Sequence, residues 1–334
     1  MSILPFDQRA CFIAGAAKSG TTLLVALLDS HPQLLVLPEE TAYIPTALNK
    51  YGRRGRRAQF DYLTRQSRSS VLFGAPPKPG KRDYSDLPRE KFLSEFERSA
   101  FDPANGQRDL LAIMAESYAA ALRIDPDKVE RWVEKTPANR TYVPLILSRF
   151  PHAKILIVMR DPRAIFATQI ELEKTRRTET FSAYFSVHHW REAAQIALCA
   201  MRKEIPALVV FYEELVQGPA NWMQKVCDFL EIRFEPDIVL SPTKAGQFWS
   251  GNSAVQAGFS QISTEPVDRW ERQLSEDEIG WVEWHCRDLM PQFGYEPRLP
   301  DRALRHWTRS IVGETRGKYL HSRFYSWRQS WFGF

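Results

Sequence analysis

The chain has 334 residues, 44% of them hydrophobic, and a formal net charge of +5. That length can bury one large core, and the mild positive balance suits a small anionic ligand without calling for nucleic acid. The four scattered cysteines, Cys11, Cys199, Cys227 and Cys286, lack C-x-x-C spacing, which argues against a disulfide scaffold or a thiolate zinc site and for a reducing compartment.

The first predicted element is a strand at Cys11-Phe12-Ile13-Ala14. A small-residue turn, Gly15 to Gly20, follows, and Thr21 to Leu28 then reads as a buried helix. Strand, glycine-bounded turn and helix together make a phosphate cradle: backbone N–H groups and the positive end of the helix dipole converge on an anion. The nucleoside triphosphate pattern would put Lys directly after the second Gly, but Thr21 stands there and the lysine comes earlier, at Lys18. Lys18 can reach the bridging region of a bound anhydride, and Thr21 and Thr22 can donate to a phosphate. This layout requires no Mg²⁺. The plainer reading is a tight turn that binds nothing.

A second strand is expected over Gln33 to Leu37, ended by Pro38. Glu39-Glu40-Thr41 then falls at its carboxyl end, where ligands of open α/β sheets bind. Of the two carboxylates, Glu39 is expected to face water. Residues 50 to 110 look irregular. Lys50, Arg53, Arg54, Arg56 and Arg57 form a basic cluster, and Pro76 to Arg82 a basic Pro/Gly loop, both unsuited to a core. They read as a solvated surface or as an acceptor lid favouring an anionic acceptor. Residues 108 to 123 have the spacing of an amphipathic helix.

Arg131 to Glu134 reads as a strand leading into Lys135-Thr136-Pro137. Lys154 to Met159 is a continuous apolar run of the kind found in central parallel strands. It ends in Arg160, with Asp161 suited to an N-cap and Pro162 to the first helical position. Arg160 therefore sits where a second phosphate could bind, with Thr168 two turns into the helix. His188 and His189 are neighbours in a long helix and read as packing residues rather than a metal pair. Ala207 to Phe211 is a further buried strand, followed by Tyr212. Ser275 and Glu278 form a capping box. The tail from about Leu304 is basic and aromatic, which suits a helix packed across the domain, a partner surface or a peripheral membrane contact.

The series Lys18-Ser19-Gly20-Thr21-Thr22-Leu23-Leu24, His31-Pro32 and Glu39-Glu40-Thr41 resembles the PAPS-dependent sulfotransferases, and most closely the tyrosylprotein sulfotransferases with the bacterial enzymes grouped with them. PAPS is 3′-phosphoadenosine 5′-phosphosulfate. The tyrosylprotein branch carries Arg where this chain has Lys18, whereas the wider family also uses Lys. The resemblance implies a loop, Lys18 to Thr22, that holds the 5′-phosphosulfate. It implies Glu40 as base, because the family uses the Glu before Thr, and Lys135 at the transferring group. Arg160 and Thr168 would take the 3′-phosphate, with Thr168 standing where the family has Ser. Tyr212 would meet the adenine and Arg269 would contact the phosphates.

The expected fold is α/β: a P-loop-like central parallel sheet flanked by helices, with a helical and loop acceptor-binding insertion at about 50–110. Residues 1–300 are expected to form one sulfotransferase domain and 301–334 an extension. The expected reaction moves a sulfuryl group from PAPS to a hydroxyl acceptor, without metal, leaving 3′,5′-adenosine bisphosphate (PAP). Carbohydrate, lipid, small-molecule and peptide acceptors all fit the sequence. Two other classes compete: a P-loop kinase and a non-catalytic nucleotide-binding module. The start of the chain lacks a charged region followed by an apolar run, and no stretch approaches about 18 apolar residues, so a cytoplasmic location is expected. A homodimer is compatible with the sequence.

Overall fold

Five strands form one parallel sheet in the computed structural model, which describes residues 4–77, 82–176, 183–249, 251 and 262–300. They are β1 (Ala10–Gly15), β2 (Leu34–Val36), β3 (Arg131–Lys135), β4 (Lys154–Met159) and β5 (Ala207–Phe211), in the order β2-β3-β1-β4-β5. β1, β2, β4 and β5 read as largely continuous apolar runs because both faces of the sheet are covered, whereas β3 carries Arg131, Glu134 and Lys135. β1 illustrates this: Ala10 and Phe12 enter one core, Cys11 and Ile13 the other. Helices Leu110–Leu122, Ala183–Met201 and Glu276–Cys286 pack the first core; Thr21–Leu28 and Pro219–Leu230 pack the second. From β1 the chain goes to β2 and β3 on one side, and β4 and β5 lie on the other. A crevice therefore opens at the carboxyl ends of β1 and β4, the place where such sheets bind ligands.

Two expectations need correction here. The helix Leu110–Leu122 is not amphipathic, since only Glu116, Ala120 and Leu122 escape full burial. Helix Arg89–Phe101 covers its outer side, with Phe92 5.1 Å from Tyr118 between ring centroids. Nor is the 50–110 region as irregular as its composition suggests. It contains helices Gly55–Arg65 and Arg89–Phe101, and buries Phe60, Leu63, Phe92 and Phe96. The basic cluster is used on the outer face of this layer. Arg56 donates to the carbonyls of Ala100, Asn105 and Arg108, Arg57 pairs with Asp61 and Glu97, and Lys50 and Arg54 lie against the Tyr51 ring.

The capping box at Ser275 is present, and Cys11, Cys227 and Cys286 are buried. Burial pushes the Cys11 thiol up to about 12, as for an inert packing residue. Among the described residues no helix is long and apolar enough to cross a membrane. The centre of the Pro/Gly loop and the basic-aromatic tail lie outside the described residues.

Candidate active site

The turn after β1 is anchored through its carbonyls. Arg140 donates to Gly15 O at 3.4 Å, Ser19 N to Ala16 O at 3.1 Å, Gln169 to Ala17 O at 3.5 Å and Arg160 to Lys18 O at 3.0 Å. Lys18 is held at φ +74° and Gly20 at φ +107°. Only glycine suits the second position, because a Cβ there would lie 2.4 Å from the Tyr212 ring. Gly20 is also the N-cap residue of helix Thr21–Leu28 and makes no side-chain cap. The orphan N–H groups of the first turn and the positive dipole end are thus left for a ligand in the cleft, which Gly20, Thr21 and Thr22 line.

β2 and β3 are hydrogen-bonded neighbours, with Val36 opposite Val133, so their carboxyl ends emerge side by side. This brings Glu40 and Lys135 together. Lys135 Nζ donates to Glu40 Oε1 at 2.6 Å and reaches Thr22 Oγ1 at 3.4 Å. The two side chains are only 9% and 18% exposed, and Arg68 approaches the second Glu40 oxygen at 3.2 Å. Burial pushes the Glu40 carboxyl up, but Lys135, Arg68 and Lys18 outweigh it and hold the group below the usual Glu range. Glu40 is therefore ionised at neutral pH.

Glu39 does not face water. It accepts hydrogen bonds from the Tyr84 hydroxyl at 2.8 Å and from Lys244 Nζ. It ties the insertion to the hairpin formed by β6 (Thr243–Lys244) and β7 (Gln247–Phe248). One group went unnoticed in the sequence: Glu134, which is 1% exposed and accepts from Thr41, Thr136 and Asn139. The available signal was a carboxylate inside a strand that is otherwise buried.

At the end of β4, Arg160 is 5% exposed, lies 4.4 Å over the Tyr212 ring, and donates to Lys18 O and, at 2.7 Å, to Pro266 O. Its buried Nε has no partner. Asp161 caps the helix Pro162–Arg176 through Arg163 N, as the sequence suggested. Thr168 lines the cleft, but its hydroxyl donates to Ala164 O at 2.8 Å, so the donor expected for a phosphate is turned into its own helix. His188 and His189 stack on Tyr184 and Phe185.

Lys18, Gly20, Thr21, Thr22, Glu40, Lys135, Arg160, Thr168, Tyr212 and Arg269 all line one cleft of about 950 Å³. Ser19 does not: its hydroxyl is fully buried without a partner, next to where a Gly15 Cβ would lie. Only the Ser19 backbone could serve the loop. Arg68 and Arg82 line the cleft in place of the basic cluster. Seven Lys and Arg side chains line it against three carboxylates, a balance suited to a polyanion.

Residues 11–236 match the model of the Sulfotransferase family. The chain belongs to that family. It is 24% identical over 292 residues to protein-tyrosine sulfotransferase A of Caenorhabditis elegans, covering 86% of this chain and 67% of that protein. Identity is 27% over 304 residues to protein-tyrosine sulfotransferase 1 of Danio rerio, covering 87% and 73%. The sulfotransferase domain of the Synechococcus PCC 7002 olefin synthase shares the fold, with a TM-score of 0.51 at 22% identity over 87% of this chain and 95% of that one. The protein is a PAPS-dependent sulfotransferase. The cleft fits such a donor: the helix start is uncapped, Gly20 leaves room beside Tyr212, and a buried Arg160 nitrogen is unpartnered. Among the described residues no cluster of three His, Cys, Asp or Glu could hold a metal.

Proposed function

We propose that Glu40 is the base of sulfuryl transfer and that Lys135 and Lys18 stabilise the charge that develops. The observation that carries this reading is the 2.6 Å contact between Glu40 and Lys135, beside the uncapped helix start. PAPS, when bound, supplies a sulfuryl group on a phosphate leaving group. Lys18, Thr21, Thr22 and the backbone from Ser19 to Gly20 would hold its 5′ end. Arg160 and Arg269 would hold the 3′-phosphate, with Thr168 joining only if its hydroxyl rotates, and Tyr212 would border the adenine. Glu40 would take the proton from the acceptor hydroxyl. Lys135 is close enough to both Glu40 and Thr22 to stabilise negative charge growing on the donor side. Such transfer asks the protein for positioning and charge stabilisation rather than covalent work.

Arg68, which is 62% exposed at the cleft, supports an anionic acceptor, and Arg82 and Lys244 line the same side. The same reading treats residues 1–300 as one catalytic domain, about 50–110 as its acceptor lid and 301–334 as an extension. Family membership and Thr21 at the kinase lysine position both disfavour phosphoryl transfer. The test is a screen of phenol, carbohydrate, lipid and peptide hydroxyls with labelled PAPS, run on the native protein and on Glu40→Gln. Transfer by the native protein alone supports the reading. Equal transfer by both removes Glu40 from the mechanism, and PAP binding without transfer to any class favours a binding module.

A further inference from the structure

Glu134 and Lys135 are consecutive residues at the end of β3, and a strand sends consecutive side chains to opposite faces. Lys135 takes the side of Thr22 and Glu40. Glu134 takes the other, where it is 1% exposed. Around its carboxylate four donors converge. Thr41 N lies at 3.2 Å, Thr41 Oγ1 at 2.8 Å and Thr136 Oγ1 at 2.6 Å from Oε1, and Asn139 Nδ2 lies 2.7 Å from Oε2.

These donors come from the two loops that carry the reacting pair. Thr41 follows Glu40, and Thr136 follows Lys135. The bonds continue outward: Ala42 N donates to Thr136 Oγ1 at 3.1 Å and Tyr43 N to Thr41 Oγ1 at 3.2 Å. Ala42 is itself held in the left-handed region, at φ +47°, so the chain turns sharply just past Thr41. A buried carboxylate is a poor source of net stability, because desolvation offsets most of what its hydrogen bonds return. Its effect is better sought in geometry.

We propose that Glu134 is a positioning residue that clamps the Glu40 loop to the Lys135 loop and so sets the separation of base and lysine. The proposal rests on the reading of Glu40 and Lys135 above. It deepens that reading by identifying what holds the two in register beyond their own ion pair. The carbonyl of a glutamine could keep the three bonds at Oε1. Its amide would face Asn139, whose own Oδ1 is buried without a partner and could accept after a flip of that side chain. Glu134→Gln should therefore keep the clamp, whereas Glu134→Ala should release it.

The test follows the Glu40 carboxyl directly, by ¹³C NMR titration of protein labelled at glutamate, with Glu40→Gln supplying the assignment. Glu134→Ala should move the Glu40 midpoint upward, because the carboxyl withdraws from Lys135, while PAP affinity by calorimetry changes little. Glu134→Gln should leave the midpoint in place. If Glu134→Ala does not fold, Thr41→Val serves instead: it keeps the shape, deletes one clamp donor, and should shift the midpoint in the same direction. The proposal is overturned if the midpoint stays put in folded Glu134→Ala or Thr41→Val, or if Glu134→Gln shifts it as far as Ala does. A fall in melting temperature with an unmoved midpoint would make Glu134 purely structural. Failure of the underlying reading is seen separately, as undiminished transfer from labelled PAPS by Glu40→Gln.

Discussion

Replacing Glu40 by Gln should separate binding from chemistry. The amide keeps the size of the carboxylate and an oxygen for Lys135, but it cannot accept a proton. Loss of a general base typically costs about 10²–10⁴ in rate, or roughly 3–5 kcal/mol at the transition state. Nucleotide binding should move the other way. In the native protein the Lys135 charge is offset by Glu40 at 2.6 Å, in a pair only 9% and 18% exposed. Removing the carboxylate charge leaves Lys135 available to an anion, so PAP should bind as well as before or up to about tenfold tighter, a gain of about 1.4 kcal/mol. Folding stability should fall by only about 1 kcal/mol, because the Lys135 hydrogen bond keeps an acceptor. Calorimetry with PAP and single-turnover transfer from labelled PAPS at saturation read the two effects independently. A loss of PAP affinity matching the loss of rate would show that Glu40 holds nucleotide or shape, and would refute the assignment.

Glu39→Gln should chiefly raise the acceptor KM and lower the melting temperature, because Glu39 joins Tyr84 to Lys244; a kcat loss as deep as that of Glu40→Gln would place the base one residue earlier. Arg68→Ala removes one of the cations that outweigh burial at Glu40, so the acid limb of the pH–kcat profile should move to higher pH, and an unmoved limb would count against Arg68 as a partner of Glu40. In the native protein the depressed Glu40 carboxyl contributes stability above the ordinary Glu range, and this is lost as pH falls through its lower folded value, a trend that Glu40→Gln should flatten in urea titrations. Arg160→Ala should weaken PAP binding about ten- to a hundredfold and also lower the melting temperature, since the guanidinium braces Lys18 O and Pro266 O; Arg160→Lys should not restore affinity, because an ammonium cannot reproduce the fork.

Much of the sheet was legible in the sequence because parallel strands covered on both faces appear as unbroken apolar runs. Lys154 to Met159 was read to the residue. Three of the strand-end segments were legible for a related reason: each begins where such a run stops, at Gly15, Pro38 and Arg160, whereas Lys135 was legible only through the resemblance. What the sequence hid was partnership across the chain. Nothing local shows that Glu39 meets Tyr84 and Lys244, or that Thr168 returns its hydroxyl to Ala164. The insertion looks irregular in the sequence because arginines dominate its composition, whereas its helices bury Phe60, Phe92 and Phe96. Glu134 escapes notice in the sequence because a carboxylate next to a strand-end lysine looks like a surface charge until its four donors are located.

The Tyr212 ring lies between Gly20 and Arg160, and the same arginine is bonded to the backbone of Lys18. On the proposed reading, the anion sites after β1 and β4 are therefore braced against each other, with a set span. Such a pair acts as a ruler. A ligand would be measured by the distance between its two charged ends rather than by its total charge, and adenosine 5′-phosphosulfate, which lacks the 3′-phosphate, would reach only one end of it.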